Sequence, residues 1–201
     1  MKLLLFNGSP RRGATHNILL DLQNKLSSPE VEIEIMSLAG QKVAPCTGCN
    51  HCKRNKENCC VRDDMLDLFP RFVGADAFVI ASPVYVMGPT PQTSAFFSRL
   101  RPIHHVFPGA LRNKVAGSIA VGGTRNGGQE LTVNVLNNYL LTRGLIVVGG
   151  EIGSYHGGNI WSKDSPEEAL LDDIGLETAL GVARRVIEIA LLHQRGKEQG
   201  K

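Results

Sequence analysis

The chain has 201 residues, a length that fits one domain built from a sheet covered by helices on both faces. Its 22 basic residues nearly balance its 19 acidic ones, so we expect no nucleic-acid partner, which would usually require a concentrated basic face. The first apolar run, Leu3 to Phe6, is too short for a signal-peptide core or a membrane span, so we expect a cytoplasmic protein without a membrane anchor.

Short apolar strands alternate with amphipathic helices along the chain. Thr90 and Pro91 indicate an N-cap followed by proline in the first helical turn, and Gly144 indicates a helix end. This alternation predicts an α/β fold with a doubly wound parallel sheet of five strands in three α/β/α layers. The predicted strands cover residues 2–6, 31–36, 77–81, 115–121 and 145–148, and the predicted helices cover 17–26, 63–72, 90–100, 129–142 and 166–193.

No repeat or linker divides the chain. We therefore predict a single domain over residues 1–195 and a flexible tail over residues 196–201. Residues 38–63 form an unusually long connection, which is typical of function or of disorder, and the five cysteines within it favour function. The final helix is expected to dock on the sheet through Ile174, Ala183, Val186, Ile187 and Ala190.

The cysteines form a compact motif, C-x2-C-x2-C-x6-C-C. Three cysteines at x2 spacing can wrap one face of an iron–sulfur cubane, and a fourth six or seven residues later can close the site. Cys46, Cys49 and Cys52 are therefore predicted as ligands, with Cys59 or Cys60 as the fourth and Cys59 slightly preferred. A zinc site fits less well because structural zinc usually joins two C-x2-C arms across a longer loop.

Three segments rich in glycine, proline and small polar residues follow the first, third and fourth predicted strands. The carboxyl ends of parallel strands share one edge of the sheet, so we expect these loops to form one ligand site. The first loop suits a phosphate at a helix N-terminus, and the other two suit a flat heteroaromatic ring approached by glycine backbone, with Tyr85 as an aromatic wall. The predicted cofactor-binding residues are Ser9, Arg11, Thr15, His16, Asn17, Pro83, Val84, Tyr85, Met87, Gly88, Gly123, Thr124, Asn126, Gly127 and Gly128.

These motifs resemble those of a known family. Residues 8–11 and the Thr-His-Asn helix start resemble the phosphate loop of flavodoxin-like NAD(P)H-dependent FMN reductases, and residues 82–85 resemble their flavin-ring loop. The cysteine motif and residues 122–130 resemble the iron–sulfur flavoprotein branch of that family. His16 departs from the pattern, because relatives often carry Ser or Thr there.

The resemblance implies a flavodoxin-like fold that holds FMN and a [4Fe–4S] cluster in each subunit. It also implies a homodimer or homotetramer, in which the cluster lies near a subunit interface and close to the flavin of a neighbouring subunit.

We therefore expect an FMN-dependent oxidoreductase and electron-transfer flavoprotein that couples FMN to the cluster, with no catalytic acid or base supplied by the protein. The electron donor is expected to be NAD(P)H or a ferredoxin. An acidic carrier such as a ferredoxin would be attracted by the basic residues around the cysteines, which are Lys53, Arg54, Lys56 and Arg62. One alternative is a cluster-free NAD(P)H-dependent FMN or quinone reductase. Another is a non-enzymatic flavodoxin-like electron carrier or redox sensor.

Overall fold

The computed structural model describes residues 1–151 and 154–199. The strands are β1 (Lys2–Asn7), β2 (Glu32–Ser37), β3 (Ala77–Pro83), β4 (Val115–Gly122), β5 (Ile146–Val147) and β6 (Gly158–Trp161). The helices are α1 (Ala14–Leu26), α2 (His51–Asn55), α3 (Met65–Gly74), α4 (Pro91–Arg99), α5 (Pro102–His105), α6 (Gln129–Leu141) and α7 (Asp173–Gln199), with a 3-10 helix at Glu168–Leu171.

The strands form one parallel sheet in the order β2-β1-β3-β4-β5. Strand β6 pairs with β4 as well, so two short segments share the fifth strand position. β5 pairs with Val115 and Ala116, and β6 pairs with residues 119–122 further along β4. The predicted five-stranded doubly wound sheet is confirmed. The sequence pattern missed β6 because its four residues, Gly-Asn-Ile-Trp, carry no clear alternation.

Helices cover both faces of the sheet, which gives the three predicted layers. Alternate residues of β1 enter different cores, because successive side chains of a strand point to opposite faces. Leu3 and Leu5 pack with α1 and α7, whereas Leu4 and Phe6 pack with α3, α4 and α6. Burial on both faces explains why β1, β3 and β4 are nearly continuous apolar runs.

The final helix differs from its prediction. It is preceded by the separate 3-10 helix, and Asp172 separates the two by accepting the backbone N–H of Trp161 at 2.8 Å. Ile174 lies in the first turn of α7 and is 74% exposed, so the prediction that it docks on the sheet is wrong. The other docking predictions are confirmed, since Ala183, Val186, Ile187 and Ala190 pack against the sheet core.

Helix α7 continues to Gln199, into the segment predicted as a flexible tail, and residues 200 and 201 lie outside the described residues. Two short helices, α2 and α5, were not predicted, and α2 lies within the cysteine loop. Among the helices of residues 1–151 and 154–199, none combines the length and the apolar character needed to cross a bilayer.

Candidate functional site

The three glycine-rich loops meet at the carboxyl ends of β1, β3 and β4, around a cavity of about 270 Å³ that we call the main cavity. This is the sheet edge on which the sequence predicted a ligand site. A fourth segment, residues 162–166, closes the cavity after β6. The lining residues are Ser9, Arg11, Arg12, Gly13, Ala14, Thr15, Pro83, Val84, Tyr85, Val121, Gly123, Ser162, Asp164 and Pro166.

The loop after β1 is shaped by its own side chains. Asn7 Oδ1 accepts the backbone N–H of Ser9 at 3.0 Å, and Ser9 Oγ accepts the backbone N–H of Arg11 at 3.3 Å. Helix α1 then begins at Ala14, and no side chain caps it. The first-turn N–H groups of a helix have no intrahelical acceptor, so this uncapped start can bind an anion in the main cavity.

The start of α1 decides which amides a ligand can use. The sequence placed the helix start at Asn17, but the backbone N–H of Asn17 donates to Gly13 O at 3.1 Å and is therefore engaged. The first-turn N–H groups without an intrahelical acceptor belong to Ala14, Thr15 and His16. Ala14 and Thr15 line the main cavity.

The surroundings of His16 favour the neutral form of its side chain. Burial, and after it the positive charge of Arg12, lowers the pKa of the imidazole below its usual value. The Nδ1 atom is buried and has no hydrogen-bond partner among the residues that the structure describes. The His16 side chain is therefore not an ionic partner for an anion at this helix start.

The loop after β3 carries a tight turn at the rim of the main cavity. Tyr85 and Gly88 exchange two backbone hydrogen bonds of 2.8 and 3.1 Å, and Val86 and Met87 between them both have positive φ. Such a two-residue turn favours Asn and Gly rather than large apolar residues. Val86 is nonetheless 99% exposed, so its side chain projects into solvent from a strained backbone.

The loop after β4 divides between two cavities. Gln129 holds it internally, donating to Thr124 O at 2.6 Å and accepting the backbone N–H of Gly127 at 2.9 Å. Gly123 faces the main cavity, whereas the following residues border a second cavity of about 280 Å³. The second cavity is lined by Met87, Arg125, Asn126, Gly128, Gln129, Glu130, Leu131 and Asn159.

The predicted cofactor residues therefore do not all converge on one space. Those that line the main cavity are Ser9, Arg11, Thr15, Pro83, Val84, Tyr85 and Gly123. Those that line the second cavity are Met87, Asn126 and Gly128. His16, Asn17, Gly88, Thr124 and Gly127 belong to the same loops but line neither cavity.

The sequence interpretation missed the wall formed after β6. Trp161 donates its ring N–H to Gly123 O at 2.9 Å, which ties this wall to the loop after β4. The carboxylate of Asp164 lies so close to Gly123 that an added Cβ would stand 2.2 Å from Oδ1. A signal existed, because Ser162-Lys-Asp-Ser-Pro166 has the small polar and proline composition of the other three loops.

The cysteine loop forms a separate small cavity. Cys46, Cys49, Cys52 and Cys59 line a space of about 20 Å³, and Cys60 is not part of that lining. Arg99 and Arg101 line it with them, as do Asn50, His51 and Pro102. Within residues 1–151 and 154–199, no group of three or more His, Cys, Asp or Glu side chains is arranged closely enough to hold a metal ion.

Two of these thiols lie in different electrostatic surroundings. The backbone N–H of His51 holds the pKa of Cys49 below its usual value, and the Arg54 charge acts in the same direction. Burial, and then the neighbouring Cys49, raise the pKa of Cys60, whose Sγ lies 4.0 Å from Cys49 Sγ. Cys49 is therefore the readier of the two to become a thiolate.

Basic side chains surround the loop as the sequence indicated. Lys53, Arg54, Lys56 and Arg62 are exposed, and we call them the basic patch. Arg54 also donates to Cys49 O at 3.0 Å and so helps to hold the loop.

Comparison with known proteins identifies the family. The model of a family described as NADPH-dependent FMN reductase matches residues 1–158. The chain belongs to this family. Within it the chain belongs to the iron–sulfur flavoproteins, because it is 37% identical to one from Methanocaldococcus jannaschii over 96% of this chain and 98% of the relative. A second iron–sulfur flavoprotein, from Methanosarcina thermophila, is 31% identical over 99% of this chain and all of the relative.

Solved structures support the fold of this FMN reductase family member. A flavodoxin, WrbA-like protein from Agrobacterium tumefaciens superposes with a TM-score of 0.63 at 19% identity, covering 96% of this chain and 98% of that protein. The predicted flavodoxin-like fold and family are thus confirmed. The chain is an FMN-dependent oxidoreductase by family, and cytoplasmic location stays a prediction.

The residues of the main cavity fit the flavin nucleotide of this reductase family. The uncapped start of α1 and the arginines Arg11 and Arg12 supply hydrogen-bond donors and positive charge at one end. Pro83, Val84 and Tyr85 supply a largely apolar wall beside the glycine backbone at Gly123. A dianionic phosphate and a flat ring thus have complementary surfaces in a single cavity.

Proposed function

We propose that this protein is an iron–sulfur flavoprotein with FMN in the main cavity and a [4Fe–4S] cluster on Cys46, Cys49, Cys52 and Cys59. The observation that supports the cluster most directly is that these four side chains, drawn from both ends of one loop, line one cavity. Iron–sulfur clusters are held by four cysteine thiolates. Cys60 lies outside that lining, which favours Cys59 as the fourth ligand.

The protein residues bind and orient the flavin rather than exchange protons with it. When bound, FMN supplies conversion between two-electron hydride chemistry and one-electron transfer. The amides of Ala14 and Thr15 and the side chain of Arg11 would hold the phosphate at the start of α1. Pro83 and Tyr85 confine the ring and keep water from one side of it.

Anaerobic purification with iron and flavin analysis tests this function. We expect about four irons and about one FMN per chain, together with an EPR signal that appears on reduction. The Cys59→Ser variant should lose iron while keeping FMN, whereas the matched Cys60→Ser variant should keep both. FMN without iron, in protein never exposed to air, would contradict the cluster.

A cluster-free reductase is the second candidate. The cysteine geometry favours it, since among the described residues no three His, Cys, Asp or Glu side chains lie close enough together to hold a metal ion. In this case NADPH would bleach the bound flavin directly, and Cys49→Ser would leave the rate unchanged. The proposed function predicts instead that one-electron transfer from the protein to an external acceptor slows in Cys49→Ser. Stopped-flow absorbance at the flavin band, recorded with NADPH and then with the acceptor, separates the two candidates.

A non-enzymatic electron carrier or redox sensor is a third reading, and the contact between Cys49 and Cys60 favours it. The two sulfurs are 4.0 Å apart, so a small movement would allow a disulfide to form on oxidation. Steady-state turnover with any donor and acceptor pair would exclude a pure sensor.

We further propose that copies of the chain associate as homodimers or homotetramers. Tyr85, Val86 and Met87 together form an exposed apolar patch at the rim of the main cavity, which supports a neighbouring subunit there, because contiguous exposed apolar surface marks interaction sites. Light scattering that gives the mass of a single chain would contradict association. NAD(P)H or a ferredoxin is proposed as the electron donor.

A further inference from the structure

Arg99, at the end of α4, forms a buried ion pair outside the flavin site. Its side chain is fully buried, and two of its nitrogens contact the Asp63 carboxylate at 2.8 and 3.1 Å. Asp63 is itself almost buried. A charge placed so deeply is costly unless it is paired and hydrogen-bonded, so the arrangement calls for an explanation.

The pair joins the two ends of the cysteine loop. Arg99 donates to Ala44 O at 2.9 Å, before the first cysteine, and to Val61 O at 3.2 Å, after the last. Asp63 Oδ2 accepts the backbone N–H of Ala44 at 2.9 Å. Next to Arg99 on α4, Ser98 Oγ accepts the backbone N–H of Cys46 at 3.0 Å. The loop is thus closed at its base by side chains that belong to the folded core.

The same guanidinium faces the cysteines. Arg99 lines the small cavity together with the four proposed ligands, and its Nε atom is buried with no hydrogen-bond partner in the part of the chain that the structure describes. Burial by itself lowers the pKa of Arg99, but the hydrogen bond to Asp63 and the charge of Cys59 outweigh it and raise the pKa. Cys59 and Arg99 also line another small cavity, beside Met65 and Pro102, so the cavity geometry itself places the guanidinium next to this thiol.

We propose that Arg99 is a positioning residue for the iron–sulfur site, which clamps both ends of the cysteine loop and presents an N–H and a positive charge to the Cys59 sulfur. This inference rests on the proposed function and extends it. A cation and a hydrogen-bond donor beside a sulfur ligand stabilise the added electron, so they raise the reduction potential. Asp63 opposes that effect through its negative charge.

The reduction potential of the cluster tests the electrostatic half. In Arg99→Met the buried carboxylate of Asp63 remains without its cation, so the reduction potential of the cluster should fall. A change of about tenfold in the one-electron equilibrium constant is expected, which is equivalent to about 59 mV. Asp63→Asn should shift it in the opposite direction. Arg99→Lys keeps the charge and should restore a potential near that of the wild type. EPR-monitored titration of reconstituted protein measures all three.

Arg71→Met is the matched control, because Arg71 also pairs with a carboxylate, Glu34, at the surface of the sheet. Its potential should equal that of the wild type. One outcome would overturn the inference and leave the proposed function intact. In that outcome the wild type holds four irons, and neither Arg99→Met nor Asp63→Asn changes the reduction potential. A purely structural role would lower iron content in both variants without opposite shifts.

The clamp is tested in iron-free protein, which keeps the inference falsifiable if Arg99→Met folds poorly or if the wild type holds no iron. Alkylation of Cys59 by a small thiol reagent, followed by peptide mass analysis, should be about tenfold faster in Arg99→Lys than in the wild type. The single nitrogen of lysine cannot span the acceptors that two guanidinium nitrogens contact in the wild type. Equal alkylation rates would overturn the clamp.

Discussion

Gly8 shows how a single residue links the flavin-side loop to the core. Its carbonyl accepts hydrogen bonds from Thr90 Oγ1 at 2.6 Å and Thr93 Oγ1 at 3.2 Å, and its N–H donates to Ala81 O at 2.8 Å. A Cβ at this position would stand 2.1 Å from Thr93 Oγ1 and 3.0 Å from Ala81 O. Glycine is needed here for close approach rather than for an unusual φ.

Gly8→Ala should therefore weaken both the fold and the flavin site. The added methyl group must displace a hydroxyl that is already bonded and buried, so we expect the free energy of unfolding to fall by about 1–3 kcal/mol. The loop that carries Ser9 shifts with it, and the Kd for FMN should rise about tenfold. Urea unfolding and quenching of FMN fluorescence measure the two effects.

Gly74→Ala is the matched control for this change, because an added Cβ at Gly74 meets no atom within 4 Å. It should leave the Kd for FMN unchanged. An unaltered Kd in Gly8→Ala as well would show that the loop does not hold the flavin phosphate.

The identity of the candidate ligands was largely accessible from sequence. The spacing of Cys46, Cys49 and Cys52 predicts a shared site, and the structure places them around one cavity. The choice between Cys59 and Cys60 was not accessible, because both spacings are sterically possible. It depends on which side chain the folded loop turns inward, and in the structure Cys59 lines the cavity together with Arg99 whereas Cys60 does not.

At the scale of the elements, the turn from Tyr85 to Gly88 places two apolar residues in a backbone conformation that they rarely adopt. Val86 and Met87 hold φ of 48° and 65°, a region that β-branched residues avoid. The Met87 sulfur packs where a Cβ on Gly128 would stand, 2.7 Å from it, so the turn is locked against the loop after β4. An apolar pair kept in an unfavourable turn indicates selection for contact rather than for stability.

Val86→Asn should stabilise the isolated chain. Asparagine tolerates a left-handed backbone, so relief of strain should raise the free energy of unfolding by about 1 kcal/mol, measured by urea denaturation. Val86→Ala removes the same apolar surface without that tolerance and should gain less. Equal stability in the two variants would show that the turn stores no strain.

The element boundaries were harder to predict than the elements themselves. The start of α1 was placed at Asn17 because no side-chain cap marks Ala14, where the helix begins. Ile174 follows the helical pattern of α7, but the 3-10 helix and Asp172 change its phase and turn it outward. The first error came from a missing cap signal and the second from a local contact, and the periodicity of the sequence encodes neither.

Across the whole molecule, positive charge is concentrated near the cysteine loop although the formal net charge is only +3. Burial, and after it the charges of Lys56, Arg101 and Lys53, lower the pKa of His105, which follows these cations in the chain. A basic region beside a proposed cluster would attract an acidic carrier and speed its approach.

Reduction by ferredoxin should therefore depend on the basic patch. The double variant Lys53→Glu and Lys56→Glu should lower the second-order rate about tenfold at low ionic strength, and added salt should shrink the difference because it screens exposed charges. Lys25→Glu, on the remote helix α1, is the matched control. Equal rates in both variants, measured by stopped flow, would exclude docking at this patch.

Helix α4 connects the two proposed cofactor sites within one chain. Thr90 and Thr93 at its start bond to Gly8, and Ser98 and Arg99 at its end hold the cysteine loop. Its nine residues span about 14 Å at the usual rise of an α-helix. The within-chain separation of the sites is consequently set by the length of a helix, whereas any shorter path through a neighbouring copy would be set by subunit packing alone. A change in the number of residues in α4 would therefore change the distance between the two proposed cofactor sites within one chain.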